Sequence, residues 1–367
     1  MNSEQLRLFI AGAFGSETEA NKIQALLNPY LRAALEELRQ IIEMLPDESL
    51  ARQKAWREML PEIEKAMGPY NDAFLNLLER ELPIDGERAA VETAEQLKSV
   101  GVPVASVETV KLQAMGDSAK IFLNTKIADK RIIEMFTPRG DKPSPFTAAN
   151  RKAINQIVTG GIITGDSTEN IAKKVNAELP SLLRRQSRAL ARTAIQDYNR
   201  QVKESVWNAN RDALQGLKYE WVAALDSRTC TVCAPLDGSV EDEKTGFKVA
   251  TPAHVNCRCQ IVLIDPDDKG RIRYGQEALR EQPVGDGAYK TKKKVKGERL
   301  FRRTRKVQTV NDKSPRYADF LNTAGETTQQ MFFGGGKAGT KRAKKFKRLI
   351  QNGSSPQDAL VRVIKGE

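Results

Sequence analysis

All four cysteines and the single histidine of the 367-residue chain lie between Cys230 and Cys259. Their spacing is Cys-x2-Cys, then twenty further residues, then His-x2-Cys-x-Cys. Zinc takes four sulfur or nitrogen ligands, and two close pairs on tight turns suit its tetrahedral geometry. The stretch between the pairs is polar, so it buries too little apolar surface to fold unaided and needs the free energy of metal binding. The sequence therefore predicts a metal-held segment, with Zn²⁺ as a structural cofactor.

Five candidate ligands compete for four positions around one ion. The preferred set is Cys230, Cys233, His254 and Cys257, with Cys259 as a substitute for either of the last two. In an extended segment side chains repeat every second residue, so Cys257 and Cys259 would face the same side. The choice of four among the five stays open. A disulfide framework, which a reducing cytoplasm disfavours, and a set of buried unligated thiols are the alternatives.

No catalytic residue is predicted. The zinc deaminase signature needs His-x-Glu, whereas His254 is followed by Val255 and Asn256. A hydrolase that relies on histidine needs a free imidazole, and the one histidine already belongs to the cluster. The carboxylates of Asp226 and Asp237 leave a Mg²⁺-dependent nuclease as the enzymatic alternative, although a solvated acidic loop is the simpler interpretation.

The apolar pattern predicts a fold that is mainly α-helical. Large apolar residues recur at three- and four-residue steps over residues 17–45, which is typical of an amphipathic helix. Further helices are expected over residues 49–81 with breaks at Pro61 and Pro69, and over 86–100, 107–136, 148–158, 168–178 and 181–216. Residues 219–224 and 260–264 read as two strands that flank the cysteines. The fold class is thus α with a small β/zinc-knuckle insert.

Composition shifts divide the chain into four predicted parts. Residues 1–136 form an N-terminal bundle or hairpin of long helices. A stretch rich in Pro and Gly precedes a central domain at 146–264, with the knuckle at 226–259. A basic linker follows at 265–313, and a small helical unit closes the chain at 314–367.

The positive charge is concentrated in the C-terminal quarter. Residues 269–367 hold 25 Lys and Arg against 9 Asp and Glu, while residues 1–268 are slightly acidic. Such asymmetry indicates an arm that meets a polyanion. Non-specific contact with the phosphates of double-stranded DNA is predicted for ten residues: Lys290, Lys292, Lys293, Lys294, Lys296, Arg299, Arg302, Arg303, Arg305 and Lys306. No stretch is long and apolar enough to predict a membrane span.

The cysteine segment closely resembles the signature of the phage head-morphogenesis, or minor head protein, family typified by the F protein of phage Mu. The family pattern is a Trp, Asp-x-Arg-Thr-Cys-x2-Cys, a Leu-Asp-Gly turn, and Pro-x-His-x-Asn-Cys-Arg-Cys. The matching residues are Trp221, Asp226, Arg228, Thr229, Cys230, Cys233, Leu236, Asp237, Gly238, Pro252, His254, Asn256, Cys257, Arg258 and Cys259. The preceding helix also resembles the family at Arg188, Arg192, Thr193 and Asn199, but Ala194 replaces a family Glu.

The C-terminal unit is similar to the family in its order of aromatic residues, glycines and a basic helix, beginning at Tyr317 and closing at Gly353. The resemblance implies a minor virion protein, made in the host cytoplasm, that associates with the phage portal protein near the portal vertex of the capsid. It implies that the helices of residues 1–136 contact the portal or the capsid, and that the chain meets the major capsid or scaffold protein. It also implies a part in head assembly and DNA packaging or delivery. A phage nuclease is the first alternative, and a DNA-reading zinc finger ranks last because no base-reading helix follows His254.

Overall fold

The computed structural model describes residues 16, 18–99, 102, 104, 126–127, 130–131, 148–223, 229–242, 247, 250–264, 270–273, 308–311 and 316–367. Within these residues the protein is mainly helical, with a small three-stranded sheet beside the cysteines. The predicted fold class is confirmed. Among the described helices, none combines the length and the apolar composition that a membrane span requires.

The N-terminal helices begin and end where proline allows it. Residues 18–26 are helical, and Pro29 lies in the first turn of the next helix, where its missing N–H is not needed. Pro61 likewise opens a helix, as the sequence predicts. The bounds are α1 Asn28–Glu43, α2 Ser49–Glu58, α3 Leu60–Ala66 and α4 Gly68–Ser99. Asp47 and Ser49 are polar residues near the start of α2 and are expected to cap it, but no side chain caps this helix, so that expectation is wrong.

Three long helices continue through residues at which the sequence predicts breaks. Helix α4 passes through Pro83 and is not divided between 81 and 86. Helix α5, Ala148–Thr164, passes the predicted break at residues 159–161 and ends before Gly165, which has a φ of 74°. Helix α6, Thr168–Ala209, contains Pro180 in its interior and forms one helix instead of the two predicted. Its predicted cap is confirmed, because Ser167 accepts a hydrogen bond from the Asn170 N–H.

One hydrophobic core unites α1 to α4 with α5 and α6. It holds Trp56 and Phe74 from the first group and Ile154, Leu190 and Tyr198 from the second. Helix α6 packs against α1, α4 and α5, so it lies at the centre of this helical body. The predicted domain boundary between residues 136 and 146 lies outside the described residues and stays a prediction.

The central sheet has the strand order β4-β3-β5 and is antiparallel throughout. Strand β3, Lys218–Val222, pairs with β5, Gln260–Ile264, so that Trp221 lies opposite Ile261. Strand β4, Val240–Asp242, pairs with the other edge of β3. The two predicted strands are confirmed. Because β3 leads into the first cysteine pair and β5 leaves the second, their pairing brings both pairs to one end of the sheet.

The C-terminal unit (residues 316–367) has its own small core. Four helices surround Tyr317, Phe320, Phe332 and Phe346, whose rings pack at tilted or edge-on angles. The glycines at 334–336 all have positive φ and separate two of the helices, so the predicted helix-breaking turn is confirmed. The helices are α7 Tyr317–Thr323, α8 Glu326–Phe332, α9 Gly336–Gln351 and α10 Pro356–Lys365.

Two short strand pairs lie where the sequence analysis predicts other structure. Strands β1 (Lys126–Ile127) and β2 (Lys130–Arg131) pair antiparallel inside the predicted helix 107–136, which is therefore wrong at these residues. The charged residues around Ile127 interrupt the apolar repeat that a helix needs. Strands β6 (Gly270–Arg273) and β7 (Gln308–Asn311) also pair, so the two ends of the predicted basic linker meet.

Candidate metal centre

Two tight turns carry the five predicted ligands, which are called the Cys/His cluster below. In the first turn the Cys233 N–H donates to Cys230 Sγ at 3.4 Å, and the Ala234 N–H donates to the Cys230 carbonyl. In the second turn the Cys257 N–H donates to the His254 carbonyl at 3.1 Å. Each turn thus points its two ligands to the same side, which is the reason for the x2 spacing.

The side chains of the Cys/His cluster converge on Cys233. The Nε2 atom of His254 lies 3.1 Å from Cys230 Sγ and 3.2 Å from Cys233 Sγ. Cys233 Sγ lies 3.8 Å from Cys257 Sγ, and Cys259 completes a second group with these two thiols. All four cysteines are free thiols, and only Cys230 is partly exposed among them. The five residues are therefore positioned to hold a metal ion.

The electrostatics of the Cys/His cluster favour thiolates at Cys230 and Cys257, whereas neighbouring thiols and burial raise the pKa of Cys233 and of Cys259. Hydrogen bonding with Cys233, together with His254, lowers the pKa of Cys230 to about 4. Hydrogen bonding with Cys230 and Cys257 raises the pKa of His254 to about 11. The pKa of Cys257 is also lowered, first by its hydrogen bond with Cys233. Thiolate is the form that binds metal, and an incoming ion would displace the remaining protons.

Helix α6 holds the second turn of the cluster. The Thr193 hydroxyl accepts a hydrogen bond from the Asn256 N–H at 2.8 Å, and the Arg192 guanidinium donates to Asn256 Oδ1. One helical turn later, Gln196 Nε2 donates to the Cys259 carbonyl at 2.7 Å. Asn256 has a φ of 64°, a left-handed conformation that asparagine tolerates better than most residues. The Arg-Thr pair of the helix thus fixes the backbone that carries His254 and Cys257.

Asp237 joins the first turn to the rest of the protein. Its side chain is fully buried, with Oδ1 accepting from the Ala223 N–H at 2.7 Å and Oδ2 accepting from the Tyr317 N–H at 2.6 Å. The Ala223 bond reaches the end of β3, and the Tyr317 bond reaches the first turn of α7. A carboxylate is favoured at a helix N-terminus, where N–H groups lack partners.

Gly238 completes the Leu-Asp-Gly turn beside Asp237. Its N–H donates to the Trp221 carbonyl at 2.8 Å, and its φ is 73°. A Cβ atom at this position would lie 3.1 Å from Arg316 Nε. Ala234 joins the core of the C-terminal unit, and Gln357 of α10 donates to the Pro235 carbonyl. The first turn therefore lies between β3 and the C-terminal unit.

The structure locates most of the predicted motif residues. Trp221 is fully buried against Ala223 and the thiols, with Phe247 edge-on at 5.6 Å, and Arg258 is half-buried. Ala194 is buried in the helical core, so this chain has no side-chain carboxylate at the position where the resembling family has a Glu. Asp226 and Arg228 lie outside the described residues, as do all ten predicted DNA-contacting residues from Lys290 to Lys306.

Sequence reasoning missed two supports of the cluster. The contact from Gln196 could have been found from its position, one helical turn beyond Arg192 on the same face of α6. The bond between Asp237 and Tyr317 joins residues 80 positions apart, and no sequence spacing predicts it.

Comparison with protein families gives a match over residues 152–262 to the family described as phage Mu protein F like protein. The matched segment contains α6, β3, the Cys/His cluster and most of β5. Comparison with curated proteins and comparison with solved structures each give no match. Over these residues the chain is similar to the phage Mu F-like family, which confirms the resemblance and supports a role in phage head morphogenesis.

Proposed function

We propose that this chain is a minor head protein of a tailed phage, whose Cys/His cluster binds one structural Zn²⁺ and thereby holds the helical body and the C-terminal unit together. The observation that carries the proposal is the position of the cluster. One turn is hydrogen-bonded to α6 through Asn256, and the other reaches α7 through Asp237. Metal bound between the two turns stabilises both connections at once.

The geometry of the cluster fits zinc. With Zn–S bonds of about 2.3 Å, two sulfur ligands of a tetrahedral ion lie about 3.8 Å apart. The Cys233 and Cys257 sulfur atoms are separated by 3.8 Å. The distances from His254 Nε2 to Cys230 Sγ and Cys233 Sγ, 3.1 and 3.2 Å, are a few tenths of an ångström short of a sulfur–nitrogen edge. A small movement of the imidazole ring would accommodate the ion.

A structural role suits the single histidine. Its Nδ1 lies 2.8 Å from the Val255 carbonyl, which orients Nε2 towards the thiols. Such an outer hydrogen bond fixes the tautomer and ring orientation of a metal-ligating histidine. With one ring nitrogen bonded to the backbone and the other facing the thiols, His254 has no free nitrogen to act as a general base.

The expected partners follow from family membership and charge. A minor head protein of this family would associate with the portal protein and the major capsid or scaffold protein, and would reside in the virion near the portal vertex. The ten basic residues from Lys290 to Lys306 would contact packaged double-stranded DNA without reading its sequence.

A pull-down tests the proposed assembly role. The purified full chain is immobilised and exposed separately to the portal protein and the major capsid protein of the same phage. Retention of the portal protein is the expected result. A variant with Cys233→Ser and Cys257→Ser serves as the metal-free comparison. Failure of the wild-type, zinc-containing chain to retain either protein would overturn the assembly role.

The nuclease alternative receives little support from the described residues. Asp237 is fully buried and both of its carboxylate oxygens already accept backbone hydrogen bonds, which disfavours a hydrated Mg²⁺ ion at this side chain. Incubating duplex DNA with the protein and Mg²⁺ or Mn²⁺ tests the alternative. The structural role predicts intact DNA, whereas cleavage that disappears in an Asp226→Ala variant would establish a nuclease.

A further inference from the structure

Helix α9 of the C-terminal unit carries a straight line of positive charge. Lys337, Lys341, Lys344 and Arg348 follow one another at steps of four, three and four residues, and they are called the basic stripe below. At 100° per residue these four side chains fall within about 60° of arc on the helix surface. All four are exposed. Lys345 and Lys347 flank the stripe on either side.

The stripe lies opposite the buried face of its helix. Gly339, Ala343 and Phe346 are buried against the small C-terminal core, and their directions are centred about 180° from the stripe. A Cβ atom at Gly339 would lie 2.4 Å from the Gln330 carbonyl oxygen, so this face is pressed against α8. The core therefore fixes the direction in which the charges point.

Among the residues that the structure describes, no carboxylate forms an ion pair with any of the four members of the basic stripe. By contrast, Arg39, Lys174 and Arg200 in the helical body all pair with acids. Residues 316–367 contain ten Lys and Arg against four Asp and Glu. The unit therefore presents a basic surface that needs an external counter-charge.

The form of the surface favours duplex DNA. The stripe is about 16 Å long at 1.5 Å per residue. A duplex carries one phosphate per about 1.7 Å of its axis, so that length faces about ten negative charges. Binding of single strands uses aromatic side chains on which bases stack, whereas Phe332, Phe333 and Phe346 are all buried. The four members of the stripe are all Lys or Arg, which in protein–DNA complexes donate mainly to phosphate oxygens, so contact with the DNA backbone is favoured.

We propose that the basic stripe of α9 docks on the phosphate backbone of double-stranded DNA without sequence preference. The stripe consists of residues other than those of the 290–306 segment, and the proposal goes beyond the proposed function because it assigns DNA contact to a folded helix. The hydrogen bond between Tyr317 and Asp237 joins the C-terminal unit, which contains α9, to the turn that carries Cys230 and Cys233. DNA held by the stripe is thereby connected to the Cys/His cluster and, through α6, to the helical body.

Two matched variants of the full chain test the proposal. The stripe variant is Lys337→Gln, Lys341→Gln and Lys344→Gln. The control is Lys54→Gln, Lys65→Gln and Lys173→Gln, three exposed lysines of the helical body, so both variants lose the same net charge. Binding to a short duplex of mixed sequence is followed by fluorescence anisotropy over a salt series. Thermal unfolding verifies that both variants fold, as expected because glutamine is a good helix former.

The stripe variant is expected to bind more weakly and to depend less on salt, with the slope of log K against log salt reduced by about 2 to 3 for three lost phosphate contacts. The control is expected to keep the wild-type slope.

Equal affinities and slopes for the two variants would overturn the proposal. So would an unchanged DNA affinity of the stripe variant together with loss of binding to polyglutamate, because the stripe would then recognise an acidic protein surface. Portal retention by the stripe variant is measured separately, so the assembly role can fail or hold independently.

Discussion

Cys233 occupies the central position among the potential ligands. It belongs to both groups of side chains that could share a metal ion, whereas Cys230 and His254 belong to one and Cys259 to the other. Its sulfur atom is within 3.8 Å of both His254 Nε2 and Cys257 Sγ. A single ion held by the Cys/His cluster would therefore bind Cys233 whichever of the remaining residues complete its coordination.

The first prediction compares two cysteines of the Cys/His cluster. Cys233→Ser is expected to abolish zinc binding, because a serine oxygen replaces the one ligand that the two groups of side chains share and the remaining ligands do not converge without it. Cys259→Ser is expected to retain about one zinc per chain, since Cys230, Cys233, His254 and Cys257 still supply four ligands. Elemental analysis of the two purified variants measures the difference. Loss of zinc in Cys259→Ser would place this residue in the ligand set.

The second prediction concerns the buried carboxylate of Asp237. An asparagine side chain at this position keeps one acceptor oxygen and turns an N–H₂ group towards the other backbone N–H. We expect Asp237→Asn to lower the free energy of unfolding by about 2–3 kcal/mol, the cost of leaving a buried hydrogen-bonding group unsatisfied. Urea unfolding measures this change in the free energy of unfolding, and Asp212→Asn, at an exposed position, is the control.

The same variant has a local consequence. Losing the bond to the Tyr317 N–H is expected to make residues 316–367 more sensitive to limited proteolysis than the helical body is. If Asp237→Asn and Asp212→Asn resist protease and urea equally, the carboxylate does not hold the C-terminal unit in place.

At the level of elements, the sequence predicts the turns, strands and helix termini that are determined by residues close together along the chain. The ligand spacing predicts the two turns, and the alternation around Trp221 predicts β3. The termini of helices at Ser167 and Pro61 follow from capping and proline chemistry. These features are local because the residues that determine them are neighbours along the chain.

The uninterrupted long helices could not be predicted in this way. A proline inside a helix costs about 3 kcal/mol in isolation, which is why Pro180 reads as a helix start. Leu179 and Leu183 beside it are buried in the common core, and the burial of two such side chains offsets that cost. Packing across the body, which no local pattern encodes, thus decides that α6 is one helix.

The third prediction tests the packing of α4 on α6. A Cβ atom at Gly86 would lie 2.3 Å from Cε1 of Tyr198, a buried ring with little room to move. Gly86→Ala is expected to destabilise the protein by about 1–3 kcal/mol, in spite of the better helix propensity of alanine, because the two helices must separate.

The matched control for this substitution is Gly160→Ala in α5. No atom lies within 4 Å of a Cβ at Gly160, so alanine there is expected to stabilise the protein by about 0.5–1 kcal/mol. Thermal unfolding of the two variants measures both effects. Stabilisation by Gly86→Ala would contradict the close approach of α4 and α6.

At the level of the whole molecule, three hydrophobic clusters are arranged in sequence: the helical body, the small cluster around Trp221 and the thiols, and the C-terminal core. The middle cluster is the smallest, and four of its buried members are Trp221, Cys233, Cys257 and Cys259. A metal ion bound there would therefore contribute most to the stability of this middle cluster, which lies between the other two.

The fourth prediction is the effect of metal removal. A strong chelator is expected to leave most of the helical circular dichroism signal, because the core of the helical body contains none of the five ligands. It is expected to increase proteolytic cleavage between residues 229 and 316, since the middle cluster loses the free energy of metal binding. Complete loss of helix on chelation would show that the body also requires the metal.

Native mass spectrometry of the full chain, purified without added metal chelators, measures how many zinc ions the folded chain carries. We expect one zinc ion per folded chain. We also expect this ion to be released on acidification, because protons displace it from its thiolate ligands. A folded chain that carries no metal, or one that carries two ions, would contradict a single structural zinc held between the body and the C-terminal unit.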